Sequence, residues 1–305
     1  MASSLAGSLA FFAFIISNFK FAGAIILFFS EDKRLKQIFY ACLVFLLFRS
    51  IQSAMFHDLI LWIVFFFMFW ALKFKPSRQK IIAIVVLGAL SITTLQTIKS
   101  AYRLEVWNGY SGNRIQLFAG LLADAVLLSG ADDKQLDGEH NNVRLNQGWI
   151  ISAILDEIPS KQPFFEGETV KDALISSVLP RFLSPNKKIA GGQENFRKFT
   201  GLELGEATSM GISIVGEAYG NYNRIGGILF MGIWGYFLAM YWRFLFSAVQ
   251  KNILLLAFLP LVFLQVVKAE TELVVVLNHL IKATIVISLF FWAAKAFLNW
   301  NLKDD

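Results

Sequence analysis

Two stretches of the chain, residues 1–97 and 225–305, run almost without interruption in apolar residues, and the 127 residues between them do not. The whole chain is 56% hydrophobic and only 16% charged, whereas a soluble domain carries about 25% charged residues. The excess apolar surface is therefore confined to segments long enough to cross a bilayer, and is not spread through one large core. About 20 mostly apolar residues cross the hydrocarbon, and a backbone in lipid must satisfy its own hydrogen bonds, so these segments are helices. Seven are expected, near Leu5–Phe29, Gln37–Met55, Leu59–Lys73, Ile81–Ile98, Ile225–Phe246, Ile253–Val267 and His279–Leu298. The chain thus reads as an all-α integral membrane protein. It has an N-terminal set of four spans (1–97), a large extracytoplasmic loop (98–224) and a C-terminal set of three spans (225–305). The first apolar stretch is too long for a signal peptide and has no basic region before it.

Charge divides along the same lines. Residues 98–224 hold 13 Lys/Arg and 15 Asp/Glu, so the surplus that makes the net charge +6 lies in the short connections. Lys33, Arg34 and Lys36 follow the first span. Lys73, Lys75, Arg78 and Lys80 follow the third, Arg243 and Lys251 the fifth, and Lys295 and Lys303 close the chain. These are alternate connections, and the positive-inside bias puts them in the cytoplasm. The N-terminus and the large loop then face outward and the C-terminus inward. A folded part with net negative charge argues against nucleic-acid binding.

The loop is too long for a structureless connector. Helical segments are expected at Arg114–Leu128, Arg144–Glu157, Thr169–Val178 and Thr208–Tyr219, with Pro159 and Pro180 as stops. The pairs Gly191–Gly192 and Gly226–Gly227 read as turns or close-packing points. The single Cys42 lies in an apolar run, so neither a disulfide framework nor a Cys metal site is possible. The three His residues, His57, His140 and His279, lack metal-ligand spacing. No nucleotide-binding or Ser-nucleophile motif is present, so neither a metal nor another cofactor is expected.

The chemistry on the outward side is cationic and carboxylic. Arg103, Arg114, Arg144, Arg181, Arg197 and Arg224 lie in the loop or at its edges. A guanidinium fork matches phosphate oxygens, and Lys187 and Lys188 add point charges soon after Arg181. Such groups suit the diphosphate of a lipid-linked substrate; equally, they suit pairing with the loop carboxylates. Glu217, in GEAYGNYNRIGG at the mouth of the fifth span, stands beside Tyr219, Tyr222 and Arg224 and is the candidate base. Glu206, Asp156 and Glu157 read as solvated helix charges, while Glu270, Glu272 and His279 are near enough to reach the same interface. Lys20 and Lys282 sit inside spans but close enough to the ends to snorkel.

The order Arg144-x-Asn-Gln-Gly, Phe165-Glu166-Gly167, Leu179-Pro180-Arg181-Phe182-Leu183 and Gly216-Glu217-Ala218-Tyr219 resembles the Wzy-type polymerases of O-antigen and other oligosaccharide repeat units. The resemblance covers residues 144–235. The segment after Pro180-Arg181 reads Leu183-Ser184-Pro185-Asn186-Lys187-Lys188, without the aromatic residue and second proline usual there. Members of that family commonly have ten or more spans. The resemblance implies a GT-C-like, metal-independent glycosyltransferase of the bacterial cytoplasmic membrane, joining undecaprenyl-diphosphate-linked oligosaccharides alongside a chain-length regulator protein. It implies that Arg144 and Arg181 hold diphosphate or sugar and that Glu217 serves the acceptor, with Arg114, Lys187, Lys188, Tyr219 and Arg224 in support. The alternatives are an O-antigen ligase and a non-catalytic transporter or flippase for lipid-linked sugars.

Overall fold

The computed structural model describes residues 11–54, 56–127, 148–179, 193–205 and 210–298. They are helical almost throughout. Six helices among them are long and apolar enough to cross a membrane: Phe11–Phe29, Lys33–Ser53, His57–Phe74, Arg78–Lys99, Ser213–Val249 and Leu273–Phe297. The chain is therefore an all-α, multi-pass membrane protein. In order, the elements are α1 (Phe11–Phe29), α2 (Lys33–Ser53), α3 (His57–Phe74), α4 (Arg78–Trp107) and α5 (Arg114–Leu127), then α6 (Gly148–Glu157), α7 (Glu168–Val178), α8 (Gln193–Thr200), α9 (Ser213–Val249), α10 (Leu259–Val262) and α11 (Leu273–Leu298). They form two compact units. One comprises residues 23–145; the other comprises residues 1–22 together with 146–305. The boundary between them falls inside the 98–224 segment, with residues 98–145 in the first unit and 146–224 in the second.

In the 23–145 unit the helix ends are fixed by capping. Asp32 Oδ1 accepts from Arg34 N at 2.7 Å and starts α2. Lys75 takes a left-handed conformation (φ 45°) and Pro76 follows, so α3 stops there. α2 ends on Ala54, also left-handed (φ 53°), whose N–H returns to the Ile51 and Ser50 carbonyls. Three side chains add donors to this end. Tyr102 OH donates to Ile51 O (2.8 Å), Arg114 Nη1 to Gln52 O (2.6 Å) and Arg103 Nε to Ala54 O (2.9 Å). Phe56, Tyr102 and Phe118 stack around this cap. The other faces are inside out: Val44, Phe45, Ile82, Val85, Val86 and Leu90 are exposed, as lipid-facing surface must be. Tyr102→Phe removes one of the two donors on the part-buried Ile51 carbonyl. The expected cost is about 1 kcal/mol, read as a Tm lower by a few degrees in detergent.

In the other unit, α6 and α8 pack through Ile150, Ile154, Ile158, Phe196 and Phe199, with Ile212 closing the core. α8 (QENFRKFT) was not expected, because eight residues with two buried phenylalanines carry little periodic signal. α9 continues the expected loop helix Thr208–Tyr219 into the fifth span across a break at Asn223 (φ 58°, ψ −167°). Asn223 Oδ1 accepts from Ile225 N at 2.9 Å, so it caps the start of the second limb, 224–249. The break is sharp. A Cβ on Gly227 would lie 3.3 Å from the Ala218 carbonyl, whereas nine residues of straight helix span roughly 13 Å. A side chain at 227 would make that contact tight, and the neighbouring backbone would have to give by a few tenths of an ångström.

The expected sixth span, Ile253–Val267, is corrected by the structure. It is a 3₁₀ turn (Ile253–Phe258) followed by the single-turn α10 and irregular turns, not a continuous helix. Pro260, at the start of α10, offers no N–H. The segment nevertheless climbs back along α11. Phe258 packs on Phe290 and Phe291, Leu261 O meets His279 Nε2 at 2.7 Å, and Glu272 directly precedes α11. Phe290 lies roughly 25 Å along α11 from its start. Irregular backbone at that depth is tolerated because Phe258, Leu259, Leu261, Val262 and Leu264 are buried in protein. On α1, Phe11 and Phe14 contact His279, and Phe19 contacts Phe290, so the first helix runs the same way as α11.

Candidate functional site

The loop helices converge on the first limb of α9, where glycine spacing permits it. A Cβ on Gly216 would come within 2.5 Å of Ile154 Cδ1, and one on Gly220 within 2.5 Å of Phe199 Cε1. With bare backbone at these two positions, one turn apart, α6 and α8 approach α9 closely. The Phe165–Gly167 turn docks beside them. Phe165 N donates to Gly220 O at 2.9 Å, and Gly167, at φ 87°, lies against the Tyr222 hydroxyl. Two of the segments that carry the family resemblance are thus packed on each other.

Glu217 stands at the centre of this convergence and is 2% exposed. Its carboxylate is held by fixed donors: Thr169 OH to Oε1 at 2.8 Å and Leu273 N to Oε2 at 2.9 Å. Asn221, one turn on, gives its Nδ2 to Thr169 Oγ1 (2.8 Å) and to the Glu217 carbonyl (2.7 Å). Glu272, 1% exposed, immediately precedes Leu273, so the two carboxylates address the same stretch of backbone. Glu272 Oε2 accepts from Asn195 Nδ2 at 2.9 Å. Its Oε1 and the Oδ1 of Asn221 have no partner among the described residues. Burial pushes the Glu272 carboxyl up to about 7; the Asn195 bond opposes the rise, and the neighbouring Glu217 charge adds to it.

The remaining sequence-derived candidates divide clearly. Tyr219 donates its hydroxyl to Ile158 O at 3.1 Å and packs edge-on to Phe164, a tie between α9 and the end of α6. Arg224 is exposed just past the break. Arg114 belongs to the other unit, where its guanidinium caps α2. Arg144, Arg181, Lys187, Lys188 and His140 lie outside the described residues. His279 is fully buried, with its Nε2 at the Leu261 carbonyl of the broken segment. Lys282 sits over the Phe11 ring and Lys20 over Phe21. Sequence reasoning missed Thr169, Asn195 and Asn221. Nothing in a lone polar residue on a short helix marks it as a partner of a distant carboxylate. Among the described residues, no group of three or more His, Cys, Asp or Glu is placed to hold a metal ion.

No curated protein and no solved structure matches the chain. A family model does, over residues 1–241, which is most of the sequence. The chain belongs to the family described as a domain of unknown function, DUF8712.

Proposed function

We propose that the protein is a glycosyltransferase of the outward membrane face that polymerises lipid-linked oligosaccharide repeat units, with a GT-C-like arrangement of loop and spans. The observation that carries this reading is the packing of Phe165–Gly167 against the Gly216–Tyr222 helical limb around a buried glutamate, at the mouth of a membrane helix. Those are the segments through which the sequence resembles the Wzy-type polymerases. In this reading Glu217 is a positioning residue: 2% exposed and held by donors from two other helices, it fixes the frame on which the loop presents its cations. Arg144, Arg181, Lys187 and Lys188 hold the diphosphate; as the acceptor hydroxyl attacks the anomeric carbon, the leaving lipid diphosphate takes the bonding electron pair and accepts the hydroxyl proton. The N-terminus and the loop face outward and the C-terminus the cytoplasm of a bacterial inner membrane. The basic clusters support this sidedness, and the shared direction of α1 and α11 agrees with it.

Purified protein supplied with preformed lipid-linked repeat units is expected to yield a ladder of longer glycans. Arg181→Ala, at normal expression, is expected to reduce it at least 100-fold, on the order of removing one transition-state donor. An unchanged ladder in that variant removes Arg181 from the mechanism, and no ladder from the wild type removes the polymerase reading.

One observation favours a second reading, the transporter or flippase. Discontinuous membrane segments that leave polar groups at depth are typical of transporters, and 253–267 is such a segment, with buried His279 beside it. Movement of a labelled lipid-linked sugar across proteoliposomes without chain growth would decide for it.

A further inference from the structure

Among the described residues, no cation is bonded to Glu217 or Glu272. Both carboxylates are 1–2% exposed. The neutral donors on them are the Thr169 hydroxyl, the Leu273 amide and the Asn195 amide. Among the described residues of α7, α8, α9 and α11, the basic groups are engaged elsewhere or exposed. On α8, Lys198 pairs with Glu168 at 2.9 Å and Arg197 reaches Glu203 at 4.0 Å. On α7, Lys171 is exposed and Asp172 adds no positive charge. On α9, Glu217 is the single ionisable side chain before Tyr219, and Arg224 is exposed beyond the break. On α11, His279 Nε2 is at Leu261 O and Lys282 lies over Phe11. Lys268 and Glu270 stand on the approach to Glu272, and each makes a contact of its own.

Two buried carboxylates held only by the neutral donors found among the described residues cannot both stay ionised at low cost. The unsatisfied atoms are of one kind. Glu272 Oε1 and Asn221 Oδ1 are both acceptor oxygens, and both lack a partner among the described residues. Asn221 is 1% exposed and is bonded into the same network through Thr169. Acceptors in excess, beside negative charge, call for a donor or a positive ion.

We propose that Glu217 and Glu272 together bind one small monovalent cation, a proton or a sodium ion, which neutralises the pair and locks α7 and α8 onto the N-terminal ends of α9 and α11. The site does not depend on glycosyl transfer; it would serve a transporter equally. The raised Glu272 carboxyl is in keeping with the proton. Because its folded value lies above the ordinary 4.5, the folded state holds the extra proton between 4.5 and about 7. Stability is then full below that window and falls as pH rises through it.

The test uses the full-length protein in detergent, melted from about pH 5 to about pH 8, in sodium chloride and in choline chloride of equal ionic strength. Bound proton predicts a Tm that falls by roughly 5 °C or more with rising pH, with no difference between the salts. It also predicts a protonated-carboxyl band in infrared difference spectra. Bound sodium predicts that sodium, and not choline, restores the Tm at the alkaline end. In either case Glu272→Gln, which keeps an acceptor for Asn195 and carries no charge, should melt independently of pH and sodium and above the wild type at about pH 8. A wild type indifferent to both pH and sodium overturns the proposal without bearing on glycan synthesis. So does a Glu272→Gln variant that shows the wild-type dependence. The wild-type arms decide even if the variant does not fold.

Discussion

Glu217→Ala is expected to destabilise the protein by about 3–5 kcal/mol, the sum of two orphaned buried donors and the space left behind. The Leu273 N–H and the Thr169 hydroxyl both end on this carboxylate, and neither has water to turn to, because Glu217 is 2% exposed. Native proteins hold only about 5–15 kcal/mol in reserve. The variant should therefore lose most of its monodisperse peak on size exclusion in mild detergent, or melt far below the wild type. Glu217→Leu should fare no better, since filling the volume does not restore an acceptor. Glu217→Gln should fall between, because its amide can accept from one donor but must oppose the other. A Glu217→Ala protein that melts with the wild type would show that the loop helices are not held through this residue. The distinction matters for function, because a collapsed loop also abolishes glycan ladders. A Glu217 phenotype counts as chemistry only where the variant's melting is intact.

The second large effect concerns Gly220. A Cβ there would sit 2.5 Å from Phe199 Cε1 and 3.2 Å from Ile158 Cδ1, and both side chains are fully buried. The Gly220 carbonyl is also the acceptor for Phe165 N, so the backbone cannot back away without losing that bond. Even Gly220→Ala should cost about 1–3 kcal/mol, the usual penalty for overpacking, and Gly220→Leu should separate α8 from α9. The measurement is protection of the Phe196–Thr200 amides from hydrogen exchange, which should drop in Gly220→Ala while α2 keeps its protection. Equal protection in both proteins would mean that the close approach at Gly220 does not determine α8 docking. Gly232 offers the control on the same helix, since a Cβ there meets nothing within 4 Å.

Much of this architecture is visible in the sequence, and the parts that are not share one cause. Continuous apolar runs mark the long helices because lipid demands them, and Asn223 before Ile225 is an ordinary start signal for the fifth span. The segment Ile253–Val267 is as apolar as its neighbours, so hydropathy alone cannot tell a span from a buried broken strip. Pro260 was the visible warning. The role of Arg114 was open in the sequence because a guanidinium serves a phosphate and a carbonyl equally well. In this fold, the end of α2 presents the carbonyl of Gln52 to it. Glu272 was visible as a carboxylate at the start of a span, but its pairing with Glu217 depends on α11 and α9 meeting in space, as do the bonds to Thr169, Asn195 and Asn221. Pattern reading follows one element at a time, and this site is made of four.

The broken strip between Asn252 and Glu272 also determines how reporters on this protein should be read. Anyone counting long hydrophobic helices after the break at Asn223 would find two, and would place the far end of the second on the side where the first began. Because the strip returns the chain before α11 starts, the second limb of α9 and α11 are laid down in the same direction. A fluorescent or enzymatic tag placed after Leu298 should therefore report from the compartment opposite Glu272, and a tag inserted next to Lys251 should report from the same compartment as the one after Leu298.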